Sequence, residues 1–328
     1  MTATLIRPLF APQSTSATLF SNEKIRRAAA REPFSVIIPT MPLWFTLTLL
    51  SAFFLASSDA LTKKAVHVHN EYLVTLARIL PTLPLFLIPL PFLEIPHLTR
   101  EFWLCILTGL PLEAVAIFLY TKALKLSPLS LTLPLLSLTP LLLLVVPFLL
   151  LGERISPAGS AGVLLIALGG YLLKARRGQD GVLAPLKALA KEKGALCMLG
   201  VATIYSFTST LGKRAIDLSS PLVFAAIYLP LLALFITPFA LYKGRGELRE
   251  IVRNGTVRAS LLPALFYALQ ALTHVFAINL TNVAYMIAVK RLSLLFGVIY
   301  GRYLFQEQGG ILATLIMLAG VCLIVIGG

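Results

Sequence analysis

Two adjacent cations, Lys290 and Arg291, sit well inside an apolar stretch that runs from Tyr285 to Arg302. The stretch reads as part of a helix long enough to cross a bilayer, where a central charge costs about 3 kcal/mol on insertion scales. Membrane insertion gives no reason for the pair, so each cation needs a counter-charge, a water-filled cavity or a ligand. The chemistry this allows is capture of an anion. Arg offers carboxylate or phosphate a planar, two-pronged contact, and Lys offers a compact point charge. Two more ionisable groups interrupt apolar stretches: Glu113, soon after Pro111, and Arg78, about two turns inside a helix starting near Glu71. Helical spacing puts Glu113 on one face with Ile117 and Tyr120. It puts Lys290 on a stripe with Ser293, Gly297 and Gly301, where Gly297-x-x-x-Gly301 also suits close contact between helices. Arg291 falls about 100° round, on a face shared with Arg302.

The elements that must position these groups are membrane helices. The chain has 328 residues, 58% hydrophobic and 13% charged, with a mean hydropathy of +0.88. A soluble globular chain is excluded by that composition. Ten apolar runs qualify as spans: about 42–61, 72–93, 102–121, 128–150, 157–173, 195–212, 221–241, 258–278, 282–303 and 309–327. Helices are expected because lipid admits only helices or closed barrels, and barrel strands would be half as long and alternating. Pro81, Pro84, Pro89, Pro134 and Pro140 fit membrane helices that kink near a site. The formal net charge of +14 is spread over short loops, which suits anionic headgroups and topology rather than nucleic acid. Cys105, Cys197 and Cys322 all lie in apolar spans without paired spacing, so neither a disulfide framework nor a metal site is indicated.

Residues 1–40 are polar, bear Ser, Thr and Arg, and hold few acids. Arg26, Arg27 and Arg31 would suit a targeting segment. The reading preferred here is a disordered tail, or a start assigned too early with translation beginning at Met41. Asp59 and Lys63, four apart at the end of the first span, could pair along one helix face. A basic linker, residues 174–193, separates two halves at 42–173 and 194–327.

The second half repeats the first. Tyr120-x-x-Ala123-Leu124-x-Leu126-Ser127 matches His274-x-x-Ala277-Ile278-x-Leu280-Thr281 at an offset of 154, and the same offset carries Glu153 onto Glu307. Lys63-Lys64-Ala65-Val66 matches Lys213-Arg214-Ala215-Ile216 at an offset of 150. Five spans per half is odd, so the copies must insert in opposite orientations, an arrangement that characterises transporters with a midplane site between halves. The duplication also sorts the polar residues. Glu153/Glu307 and Lys63/Lys213 are alike in both halves and read as helix caps or interfacial anchors. Lys290 and Arg291 align with Leu136 and Ser137, Glu113 with Tyr267, and Arg78 with Tyr228. Positions charged in one half alone are the candidates for this chain's own chemistry, with His274 either a packing residue or a cavity residue opposite Tyr120.

Over about residues 42–327 the chain resembles the drug/metabolite transporter superfamily, in its EamA type. The resemblance rests on Tyr120-x-x-Ala123-Leu124-x-Leu-Ser127-Pro128, on Pro140, and on Leu151-Gly152-Glu153-Arg154 ahead of Gly162 and Gly169. In the second half it rests on Tyr285, Lys290-Arg291, Glu307 and Gly320. Lys290-Arg291 also looks like the Lys-Arg pair that plastid phosphate translocators of the superfamily carry in the equivalent span. The resemblance implies a ten-helix permease of two inverted five-helix repeats. The superfamily handles sugars, amino acids, nucleotide-sugars, phosphates and drugs, so it does not name a substrate.

Enzyme readings find no support: there is no clustered Asp pair, no nucleophile constellation and no nucleotide-phosphate loop. No cofactor is expected. The excess of Lys and Arg in loops favours external termini, whereas the resemblance implies cytoplasmic ones. The expectation is an all-α secondary transporter working by alternating access, in the bilayer of a bacterial cytoplasmic (inner) membrane, as a monomer or homodimer. Its substrate would be a small organic anion held by Lys290, Arg291, Arg78, Tyr120, His274 and Ser293. Glu113 would be an internal counter-charge or proton carrier. The alternatives are a proton-coupled exporter of cationic or amphipathic drugs, in which Glu113 binds, and a lipid-handling or scaffold protein that transports nothing.

Overall fold

The computed structural model describes residues 42–127, 135–175, 192–305 and 311–327. The 1–40 tail, most of the basic linker, Pro128, Pro134 and Glu307 lie outside the described residues. Everything described is helix, turn or loop. Six spans are long and apolar enough to cross a membrane: α1 (Leu43–Val68); Glu71–Phe92, which contains α2 (Glu71–Ile79) and α3 (Leu83–Leu87); α4 (Arg100–Leu126); α8 (Lys193–Asp217); α9 (Pro221–Gly244); and α10 (Thr256–Asn279). The chain is therefore an all-α, multi-pass integral membrane protein. Shorter apolar helices complete the bundle: α5 (Thr139–Leu142), α6 (Val146–Leu151), α7 (Pro157–Ala175), α11 (Val283–Lys290), α12 (Ser293–Phe305) and α13 (Ile311–Gly327).

Helix starts follow local sequence. The Asn70 carboxamide accepts from the Tyr72 and Leu73 amides, Thr99 from Phe102, and Ser220 from Val223, with Pro221 at the first helical position. Lipid supplies no hydrophobic drive between helices, so close approach and interhelical hydrogen bonds must hold them together. Along α1 and α10 small residues meet: Ser51 and Ser58 donate to the backbone carbonyls of Gln270 and Pro263. Where α7 crosses α13, a Cβ on Gly162 would stand 2.6 Å from the Gly320 carbonyl oxygen, and one on Gly320 the same distance from that of Gly162. Only glycine lets these backbones touch. The three most extensive helix pairs are α1 with α10, α4 with α8, and α7 with α13.

Two expectations about helices change. The 282–303 run is not one helix: α11 stops at Lys290 and α12 begins at Ser293. Across the gap the Leu292 amide bonds to Val289, Leu294 to Arg291 and Leu295 to Leu292, a tighter three-residue pattern. The 128–150 run is broken likewise, with turns at Ser137–Leu138 and again at Leu143–Val145. Ser137–Leu138 and Arg291–Leu292 are 154 positions apart, so both copies of the repeat break at the same place.

Candidate functional site

The sequence reads Glu153 and Lys213 as helix caps or interfacial anchors, and in the structure both bond to backbone groups at helix ends. They hold the turn between α10 and α11 from either side. The Lys213 ammonium donates to the carbonyls of Ile278 (2.9 Å) and Asn279 (3.1 Å), and also pairs with Asp217. The Glu153 carboxylate accepts from the Val283 amide at 3.1 Å. A cation at a helix C-terminus and a carboxylate at the next N-terminus both complement the helix dipoles. Burial nevertheless raises the Glu153 pKa above its ordinary 4.5, outweighing the Val283 amide and Lys213, which lower it. The clamp fixes where α11 enters the bundle, and so where Lys290 and Arg291 lie at its far end.

There the chain encloses a cavity of about 240 Å³. All seven residues singled out from sequence line it: Lys290, Arg291, Glu113, Arg78, Tyr120, His274 and Ser293. Lys290 and Arg291 both line the cavity, with the Arg291 amide still bonded to the Ile287 carbonyl at the last turn of α11. At Gly297 the small-residue stripe makes no close helix contact: a Cβ there would meet nothing within 4 Å, and Gly297 lines the cavity instead. The Arg302 side chain lies outside the described residues.

The polar groups are not equally engaged. Lys290 Nζ lies 3.2 Å from His274 Nδ1, so a protonated Lys290 donates to a neutral His274. Glu113 lines the same cavity together with Thr208. Arg291 is only 6% exposed, and its Nε has no hydrogen-bond partner among the described residues. Such an orphaned donor costs about 1–3 kcal/mol unless something fills the site. Also on the lining, Tyr120 donates to Asp59 Oδ2 at 2.6 Å, and Arg78 Nη2 lies 3.6 Å from Asp59 Oδ1. Arg78 also donates to Thr62 at 3.3 Å and stands 4.5 Å over the ring of Tyr267. Tyr205, Tyr228 and Gln270 complete a wall rich in phenol hydroxyls.

Asp59 was the principal omission. Its neighbour Lys63, four residues on, offered a local partner and drew attention from the cavity. The repeat could have found it, because Asp59 aligns with Ser209 at the 150 offset and is charged in one half only. The tyrosines carried no such signal, since Tyr is also common where membrane helices meet headgroups. The cavity straddles the repeat: Asp59/Ser209, Arg78/Tyr228, Glu113/Tyr267, Tyr120/His274 and Leu136/Lys290 are aligned pairs, and all ten residues line it. The arrangement can desolvate and orient a small solute. Among the described residues, no His, Cys, Asp and Glu cluster could hold a metal ion.

Comparison with known proteins agrees with this architecture. Residues 42–174 match the family model of the EamA-like transporter family, and the chain carries an EamA-like transporter domain over that part. That domain belongs to transporters rather than enzymes. No curated protein matches the chain. A solved structure described as "Crystal structure of protein" is similar over 86% of this chain and 97% of its own, with a TM-score of 0.60 at 18% identity, a likeness of fold alone.

Proposed function

We propose that this chain, with an EamA-like transporter domain over residues 42–174, is a secondary transporter of a small organic anion. The reading takes it as ten spans in two inverted halves, 42–173 and 194–327, that alternate access to the cavity between them. One observation carries the substrate class. Lys290 and Arg291 enter the cavity together at a helix break, and buried Arg291 keeps a donor without a partner. Broken helices at corresponding positions of two repeats are where such carriers build their sites.

Contacts at the helix ends support the inverted arrangement. Glu101, at the start of α4, pairs with Arg214, near the end of α8, while His69, just after α1, meets Thr256 at the start of α10. The helix pairs support it too. By the repeat offsets α8 corresponds to α1 and α10 to α4, so α1 with α10 and α8 with α4 are one contact made twice. The third pair, α7 with α13, joins corresponding helices through reciprocal glycines.

In this account Arg291 supplies the fixed, forked contact, Lys290 the point charge, and Glu113 a counter-charge or proton carrier. A thermal-shift screen of the purified protein against metabolites tests it. A ligand that binds the folded state alone stabilises by about 2.7 kcal/mol at a hundredfold excess over its dissociation constant. An organic anion is expected to raise the melting temperature of the native protein and not that of Lys290→Ala. A cation that stabilises the native protein but not Glu113→Gln would instead favour export of cations. The Glu113 carboxylate with Tyr205, Tyr228 and Tyr267 lining the same cavity is the observation behind that second reading. A protein that no solute stabilises would point to a scaffold or lipid-handling role.

A further inference from the structure

Asp59 is an anion built into a cavity that, on the reading above, exists to hold one. Its carboxylate accepts from the Tyr120 hydroxyl and faces Arg78, and both residues are buried, at 9% and 8% exposure. The pair is incomplete: Asp59 Oδ1 and Arg78 Nε each lack a hydrogen-bond partner, and the 3.6 Å separation is longer than a charge-assisted hydrogen bond. The repeat shows that the two charges belong together. At the 150 offset, Asp59 and Arg78 align with Ser209 and Tyr228, so the second half lacks both where the first half has both. Removing this self-compensated pair from the count leaves Lys290 and Arg291 against Glu113, an excess of one positive charge among the described lining residues.

We infer that Asp59 sets the charge of the anion this cavity accepts: it occupies Arg78 and so confines the transporter to singly charged substrates. Without the Asp59 charge, Arg78 would be released as a third free cation beside Lys290 and Arg291. Its guanidinium, held over Tyr267, could then take the second carboxylate of a doubly charged solute. This rests on the anion reading, and the test separates the two.

The experiment measures dissociation constants by thermal shift for succinate, glutarate and phthalate, each against its own monoamide, at a pH where every free carboxyl is ionised. Each pair keeps one carbon skeleton and exchanges one carboxylate for a neutral carboxamide of nearly the same shape. The native protein is expected to prefer the monoamides. Asp59→Asn retains an acceptor for Tyr120 and is expected to move the ratio toward the dicarboxylates by about tenfold or more. Arg78→Gln leaves Asp59 uncompensated and is expected to move it the other way, which carries the test should Asp59→Asn fail to fold. The double variant Asp59→Asn/Arg78→Gln restores the cavity's net charge and is expected to return the native ratio. If the native protein binds these anions, loses them in Lys290→Ala, and shows one unchanged ratio across the Asp59 and Arg78 variants, the inference fails alone. If the native protein binds no member of the panel, the anion reading fails and takes the inference with it.

Discussion

At the scale of single residues, half-buried Glu153 and buried Arg291 show two uses of a charge taken out of water. The first is spent on the backbone and the second is turned into the cavity. Glu153 caps α11 through the Val283 amide. Burial raises its pKa, so the folded protein holds this proton more tightly than the unfolded chain. Its contribution to stability is therefore full below the ordinary carboxylate pKa of 4.5 and is lost as pH rises through the raised value. Gln keeps an acceptor for the Val283 amide and carries no charge. Glu153→Gln is thus expected to melt higher than the native protein at neutral pH, with the difference shrinking as pH is lowered through the carboxylate's range. Melting curves of both proteins across that range check the sign. Cap residues were legible in the sequence because both copies of the repeat carry them at span ends. Asp59 was not read as a cavity residue, because helical spacing shows which residues share a face and not which face meets a void.

The elements divide in the same way. Six of the ten expected apolar runs coincide with helical spans long and apolar enough to cross a bilayer. The break at Ser137–Leu138 was partly legible, since Thr139-Pro140 follows it and Pro140 reads as a kink. The break at Arg291–Leu292 was not, since no proline or glycine stands within four residues of it. Glycine spacing misled as well. Gly297-x-x-x-Gly301 has the small-residue pattern of a helix contact, yet Gly297 borders empty space, while Gly162 and Gly320 meet backbone to backbone. Gly162→Ala and Gly320→Ala are each expected to destabilise by about 1–3 kcal/mol, because the neighbouring carbonyl must move. Gly297→Ala is expected to be neutral or to stabilise by up to about 1 kcal/mol through helix propensity. Melting temperatures in one detergent rank the three variants directly.

At the scale of the whole molecule, the duplication ties scaffold to site. Aligned positions from the two halves meet across one cavity, and the charges there are asymmetric: Asp59, Arg78 and Glu113 come from the first half, Lys290 and Arg291 from the second. On the proposed reading, the duplicated frame presents the cavity to either side of the membrane and the asymmetric charges select the substrate. Of the seven residues chosen from the sequence, Lys290, Arg291, Glu113 and Arg78 came from comparing the copies. Tyr120, His274 and Ser293 came from the repeat motif and helical spacing, and all seven line the cavity. Glu113→Gln is accordingly expected to flatten the pH dependence of transport more than it weakens substrate affinity, as measured by uptake into proteoliposomes at a series of pH values.

The most direct test of the central claim, that Lys290 and Arg291 hold an organic anion in this cavity, is the affinity of Arg291→Lys for whichever anion stabilises the native protein. That substitution keeps the charge and removes the planar fork. A loss of about tenfold or more in affinity, with uptake into proteoliposomes reduced in parallel, is the expected result. Unchanged affinity and turnover would contradict the two-pronged anion contact and leave Glu113 as the residue around which binding is organised.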